Sequence, residues 1–496
     1  MTATTDPPCG CDAQVLELKD GRVYLRHDSP KALTPHYPLP PLGSEAIPLY
    51  RGPFTRDGKT YRGLVKLGLR PIPRLWVRGK SLETVSVADL HAWLSAEEFI
   101  GWTERSEVHI PKTSAAPRPP STARFPTQRQ VPGVMDTGHF MPRPITINAG
   151  VHVDEVTFFL LNGWQADDGR NTCYDGRVQP GRVEAKLGDW DLRLEPRGDV
   201  SPGKVRKHMQ STGDHCVTHV GRLRRNDSAD FNADETLPVL ETLDDLFSFA
   251  VGRVVSTVLP VGSKGGRAIW AHWSAMRAVD LPLTAPSWLA ETKAVQQIED
   301  LLRRGYSTSQ DPLRWSVFKN ALDYYLTANF DAAEKMSTLM PVSGLQVLAY
   351  GHFVKTLPAS DLEHIEESIW DTDRSLTAQR ILRKLLTLTR VDLNVPAHLT
   401  HLTATHARAM RKVGANQPAP VDPLGSIVKM RNAVAHPDEK VLAQWSHYDW
   451  TEAGFYTMHL FDVAMLWWLG YQGVYSQRTD RSNIVSVPWF AQPQSP

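Results

Sequence analysis

Apolar residues change their spacing along this 496-residue chain, and the changes divide it. Through residue 110 the runs are short and loosely alternating, Gln14–Leu25 and Leu64–Val77. Between them PHYPLPPLG excludes a helix, because each proline fixes φ and removes a donor. Ser86–Leu94 reads as one short helix with Ser86 as N-cap, followed by Glu97 and Glu98 on a solvated surface. Residues 1–110 are thus expected to form a small β-rich module of uncertain fold. Residues 111–134 are dense in Pro, Ser and Thr and read as a linker. Arg118, Arg124 and Arg129 decorate it.

From 135 to 285 the pattern is mainly β. Ile145–Asn148, Val156–Leu161, Arg182–Leu187, Trp190–Leu194 and Cys216–Leu223 read as strands, with turn signals at Asp168-Gly, Asp175-Gly and Pro180-Gly. Leu237–Val258 follows as an amphipathic helix. Regular strand spacing predicts a sandwich-like sheet, suited to a sensor or regulatory domain. Beyond 285 the period becomes helical: Trp288–Arg304 with Gly305 as a stop, Pro312–Leu326, Ala332–Phe353, Leu362–Thr389, a looser Asn394–Pro423, a helix around Ile427 and a long apolar one, Tyr448–Tyr471. The expected fold class is α+β and multidomain, with a β-rich N-terminal part, an all-α bundle over 286–480 and a tail over 481–496.

In the helix around Ile427, Leu424, Ile427, Met430 and Val434 recur at three- and four-residue steps and form an apolar stripe. Pro437 stops the helix, leaving Arg431, Asn432 and His436 in its last turns. Arg-x4-His alone is a weak signal. It occurs three times, at Arg22/His27, Arg267/His272 and Arg431/His436, where composition alone supplies about one. The first two fall in strand-like stretches. Only the third sits on an amphipathic helix, with Asn directly after the arginine.

Composition narrows the partners. Lys+Arg number 55 and Asp+Glu 54, a net charge of +1, which argues against a sequence-blind nucleic-acid coat but not against a local basic patch. Four cysteines, Cys9, Cys11, Cys173 and Cys216, make no disulfide framework and suit a reducing compartment. The N-terminus lacks a basic region followed by an apolar one, and the apolar run Leu460–Leu469 is interrupted by Asp462 and is too short to span a bilayer. A cytoplasmic protein that does not enter membranes is expected. His208, His215, Cys216 and His219 cluster in sequence but match no common zinc spacing. Gly262-Ser-Lys-Gly-Gly-Arg lacks the phosphate-loop spacing and reads as a hairpin turn. Neither metal nor cofactor is expected.

The stretch Lys429-Met-Arg-Asn-Ala-Val-Ala-His436, followed by a long apolar helix, resembles the HEPN superfamily signature. The β-rich front and helical back resemble the layout of its ApeA-like branch, as does Thr218–Leu223 through the Trp270 and Trp273 region. The resemblance is strong over about 310–480, weaker over 135–285 and absent over 1–110. It implies a metal-independent endoribonuclease, a homo-oligomer at least dimeric through the helical domain, and a role in anti-phage defence by abortive infection. The β-rich half would sense a phage-derived trigger or restrain activity. It assigns catalysis to Arg431 and His436 with Asn432 in support, and RNA, tRNA included, as the substrate. Relatives of this kind carry a glutamate facing the motif, where this chain has Gln346. The competing expectation is a non-catalytic dimerisation scaffold that binds nucleotide or a partner.

The chemistry agrees with the residue types. Metal-free RNA cleavage uses the ribose 2′-OH as nucleophile, a group to move protons and a cation for the charged phosphorane. Histidine transfers protons near neutral pH, and arginine grips phosphate in a fork and keeps its charge. The product would be a 2′,3′-cyclic phosphate, with DNA spared for want of the 2′-OH. The duller alternative pairs Arg431 with Asp438 or Glu439 and uses His436 as a helix cap.

Overall fold

The computed structural model describes residues 16–19, 22–25, 32–56, 59–69, 74–81, 98–102, 107–111, 136–140, 144–174, 177–274, 287–330, 335–356, 374–394, 396, 398–402, 404, 423–436 and 442–489. Cys9, Cys11, Ser86, Glu97, the three linker arginines, Asp175, Pro437, Asp438 and Glu439 lie outside them. The chain is mixed α and β and divides into two compact units, Met1–Glu241 with Val255–Leu283, and Thr242–Val254 with Thr284–Pro496.

The first unit holds two large antiparallel sheets. One runs, in spatial order, Glu107–Pro111, Glu98–Trp102, Ala46–Arg56, Lys59–Gly68, Arg74–Ser81, Asp136–Phe140. Glu98 therefore opens a strand, while the stretch expected as a helix before it lies outside the described residues. The other has eight strands in the order Arg170–Tyr174, Arg177–Leu187, Trp190–Pro196, Val217–Arg225, Glu155–Leu161, Ser256–Lys264, Arg267–Trp273, Ile145–Ile147. Alternation drives their association. Phe159, Leu161, Val217, Val220, Val258, Leu259 and Trp273 of the second sheet share a core with Ile47, Val65 and Leu67 of the first and with Leu33 and Leu69. Where two chains approach too closely for a side chain, glycine stands: a Cβ on Gly221 would lie 2.2 Å from the Phe158 ring of the paired strand.

Backbone conformation corrects three expectations here. Pro180-Gly181 is no turn but lies inside a strand, with Gly181 at φ +105° beside an irregularity in pairing. Helix Thr236–Val251 stops seven residues before Val258, because Gly252 turns left-handed at φ +74° and Ser256–Lys264 then starts as a strand. A helix over Pro202–Thr212, ended by Gly213 at φ +66°, was not signalled by the apolar pattern, since only Val205 and Met209 are buried. The glycine-rich Gly262–Arg267 does form a hairpin turn, through Gly265 and Gly266 at φ +56° and +77°.

In chain order the helices are α1 (Pro202–Thr212), α2 (Thr236–Val251), α3 (Ala294–Ser309), α4 (Pro312–Asn329), α5 (Met336–Tyr350), α6 (Arg374–Leu388), α7 (Pro423–Ala435) and α8 (His447–Trp468). In the second unit α5 packs against α4, α6, α7 and α8. Caps set the boundaries: the Asp311 carboxylate accepts from the N–H groups of Leu313 and Arg314, and Ser446 with Asp449 forms a capping box. Gly305 is not a stop but lies inside α3, where a Cβ would meet Leu246 at 2.4 Å. Likewise Gly344 of α5 lets the Phe461 ring of α8 close in, and Gly454 of α8 does so for Ser337. The stretch from 481 is not a tail: Asp480–Ser486 pairs with Val474–Gln477 as a hairpin.

That hairpin carries Arg478 into the helical core, a feature the apolar pattern did not signal. Asp462, the charge that interrupts the apolar run of α8, is fully buried and accepts from Arg478 through both oxygens. Arg478 also donates to Tyr325 at 2.9 Å and to Asn329 at 2.8 Å, and the Tyr325 hydroxyl donates to Asp462 at 2.8 Å. Burial pushes the Asp462 carboxyl up, and the Arg478 guanidinium on both oxygens, with the Tyr325 hydroxyl, pulls the other way. An acid in a buried apolar helix requires such a partner.

Candidate functional site

Helix α7 begins with Pro423 in its first turn and buries Leu424, Ile427, Val428, Met430 and Ala433. Val434, expected in the apolar stripe, is only half-buried, so the buried face is rotated slightly toward Ala433. Helix α7 packs against α5 and α6. Arg431 and Asn432 fall at the border of this face and are half-buried, while His436, the first residue past the helix, is exposed. Its N–H donates to the Asn432 carbonyl at 2.8 Å, closing the last turn.

Arg431 is held by two neutral amides. One Nη donates to the Asn432 side-chain oxygen at 3.0 Å and the other to Gln346 Oε1 of α5 at 3.1 Å. Its Nε is buried and makes no hydrogen bond. Among the described residues no carboxylate contacts the guanidinium. The clasp fixes the arginine's direction without neutralising it, which is the condition for a cation that receives an anion. The support expected of Asn432 goes to Arg431, from whose guanidinium its side-chain oxygen accepts. Gln346, singled out from the sequence only by analogy, is the residue opposite the motif.

The other sequence candidates go elsewhere. His219 is buried under the Trp164 ring, with centroids 4.6 Å apart, and its Nδ1 lies 3.0 Å from the Thr218 hydroxyl. Burial pushes its pKa down to about 3. Cys216 packs with Val205 and Met209, and His208 lies 3.1 Å from Asp214. Among the described residues no three His, Cys, Asp or Glu side chains come together as a metal site. His272, of the second Arg-x4-His pair, lies on strand Arg267–Trp273 with Nδ1 2.8 Å from Thr146 Oγ1. No helix among the described residues is long and apolar enough to cross a membrane.

Residues 148–283 match the family model of the YopA central domain, and residues 311–487 that of the YopA C-terminal domain. The chain is 24% identical over 256 residues to the SPbeta prophage-derived uncharacterized protein YopA of Bacillus subtilis (strain 168). That alignment covers 52% of this chain and 56% of the relative, so the likeness spans about half of each. No solved structure matches the chain. The matched C-terminal stretch contains both Gln346 and the Arg431–His436 helix.

Proposed function

We propose that the helical unit is a metal-independent endoribonuclease of the HEPN type, acting in conflict between bacteria and phage, with the β-rich unit sensing a trigger or restraining activity. The observation that carries the reading is the Arg431 guanidinium, oriented by Gln346 and Asn432, uncompensated by any described carboxylate, and on the same helix end as the exposed His436. A prophage-derived relative supports the setting. In the proposed reaction Arg431 grips the scissile phosphate and stabilises the phosphorane. His436 moves a proton for the 2′-OH attack or the leaving 5′-oxygen. The new bond joins O2′ to phosphorus as the P–O5′ bond breaks, leaving a 2′,3′-cyclic phosphate and a 5′-hydroxyl. The working form would be a homo-oligomer, at least a dimer.

A specific observation favours a second reading. Gln346 stands where an acid is expected, and an amide cannot accept a proton from substrate. A scaffold that binds nucleotide or a partner through Arg431 would use the same clasp. Expression of wild type, Arg431→Ala and His436→Ala with and without phage separates the two. The nuclease reading expects RNA fragments with cyclic phosphate ends from wild type, and a loss of at least about a hundredfold in each variant. Equal RNA integrity in all three would leave the scaffold.

A further inference from the structure

On the eight-stranded sheet, alternation brings a band of charge to one face. Pairing places Arg170 opposite Arg182, Glu184 opposite Arg193, and Arg193 opposite Arg222 on the next strand. Like charges directly opposed across strands disfavour the pairing, and here two such pairs follow one another. Three glutamates on this face answer three of the arginines. Glu184 Oε2 takes Arg170 Nη1 at 2.5 Å, Glu195 Oε1 takes Arg193 Nε at 2.5 Å, and Glu155 Oε2 takes Arg224 Nε at 3.0 Å. The remaining oxygens of two are also committed: Glu195 Oε2 accepts from the Leu33 N–H at 2.8 Å and Glu155 Oε1 from Ser263 at 3.2 Å.

Arg182, which shares Glu184 with Arg170, and Arg222 are left with unused donors. Arg182 is only 6% exposed, yet its Nε and Nη1 are buried and make no hydrogen bond; Nε passes 3.3 Å from Glu184 Oε1 without the geometry of one. Arg222 is half-buried, and its guanidinium has no hydrogen bond or ion pair among the described residues. Burial, joined by the neighbouring arginines, lowers the pKa of both below the ordinary arginine value. They nonetheless carry their charge, because arginine's ordinary value lies far above neutrality. A buried guanidinium with idle donors is a cost the fold would shed unless a ligand used it.

We propose that Arg182, Arg193 and Arg222 form a binding site for a small phosphorylated anion on the central sheet. Arg193 stands directly opposite Arg222 and diagonal to Arg182, which falls opposite Glu195 one step beyond the Val183–Leu194 pair, so Arg182 and Arg222 are two strands and roughly 12 Å apart at the backbone. The anion enters from the half-exposed Arg222 side. Five arginines against three glutamates leave this face an excess of two positive charges, which a doubly charged anion matches, and guanidinium forks suit phosphoryl oxygens. The site is independent of the nuclease reading, since it uses no residue of α5 or α7.

Calorimetric titration of the full chain with inorganic phosphate and with inorganic pyrophosphate tests it, against chloride at matched ionic strength. Wild type is expected to bind at least one of the two. Arg222→Gln is expected to weaken that binding at least about tenfold, as loss of a charge-assisted hydrogen bond does. A second variant, Arg182→Met, removes the buried charge while keeping the apolar stem, and should bind at least tenfold more weakly while melting no lower than wild type. Pyrophosphate binding more tightly than phosphate would show that two phosphoryl groups are engaged. No binding to wild type, or equal binding by wild type and Arg222→Gln, would overturn the proposal, and neither result would bear on RNA cleavage at Arg431.

Discussion

Single side chains in this protein are set by burial more than by their sequence neighbours. His219 shows it. It stands near His215 and Cys216 at no zinc spacing, its ring is buried beneath Trp164, and its pKa is pushed down to about 3. Above pH 6.5 the ring is neutral in both folded and unfolded chains and contributes nothing to pH dependence. As pH falls below 6.5 the unfolded chain gains a proton that the folded chain refuses, so stability declines toward pH 3. Between pH 6.5 and 5 this amounts to about 2 kcal/mol. Urea unfolding at pH 7 and pH 5 checks it: His219→Asn should lose less stability on acidification than wild type, and parallel losses would contradict the assignment. Arg431 obeys the same logic with the opposite outcome, because two neutral amides each take one Nη donor while, among the described residues, no carboxylate meets its charge.

At the level of elements, glycines decide how closely helices and strands meet. A Cβ on Gly344 would lie 2.1 Å from the Phe461 ring, so α5 and α8 approach through that glycine. Gln346 stands two residues further along α5, about 200° around the helix, and reaches Arg431 of α7. Helix α5 thus carries the clasp on one side and its own seating on the other. Gly344→Val should cost about 1–3 kcal/mol through overpacking. If the nuclease reading holds, it should also lower RNA cleavage by more than the unfolded fraction explains, because displacing α5 displaces Gln346. Thermal melting and cleavage rates measured on the same preparation check this; activity falling only in step with folding would detach the clasp from the site. Element ends were readable where chemistry marks them, as at Asp311-Pro312 and Ser446–Asp449. They were misread where a glycine served packing or a left-handed turn instead, as at Gly305 and Gly252.

For the whole molecule the governing quantity is the near-balance of charge, a net of +1. A balance of this kind argues against a diffuse basic surface, so the nuclease reading rests on a few local cations. If the nuclease reading holds, the affinity of His436→Ala for RNA should fall with salt at a log–log slope of about −1 to −2, corresponding to roughly one to three phosphate contacts on a single strand. Filter binding across a salt series measures it, and a slope beyond about −4 would point to an extended basic groove instead.

The sequence by itself determined the class of the fold and the local geometry of the motif. Hydrophobic period separates strand from helix within ten residues, and a helix fixes where Arg431, Asn432 and His436 stand relative to each other. Several strands and most helices could be read for the same reason. What only the tertiary structure decided are the pairings between residues far apart in the chain. Gln346 meets Arg431 across 85 positions, Tyr325 meets Asp462 across 137, and Arg193 stands opposite Arg222 through sheet register. Local periodicity carries no information about which surface a buried face will find. A buried charge such as Asp462 announces that a partner must exist, but only packing chooses Arg478 to be that partner.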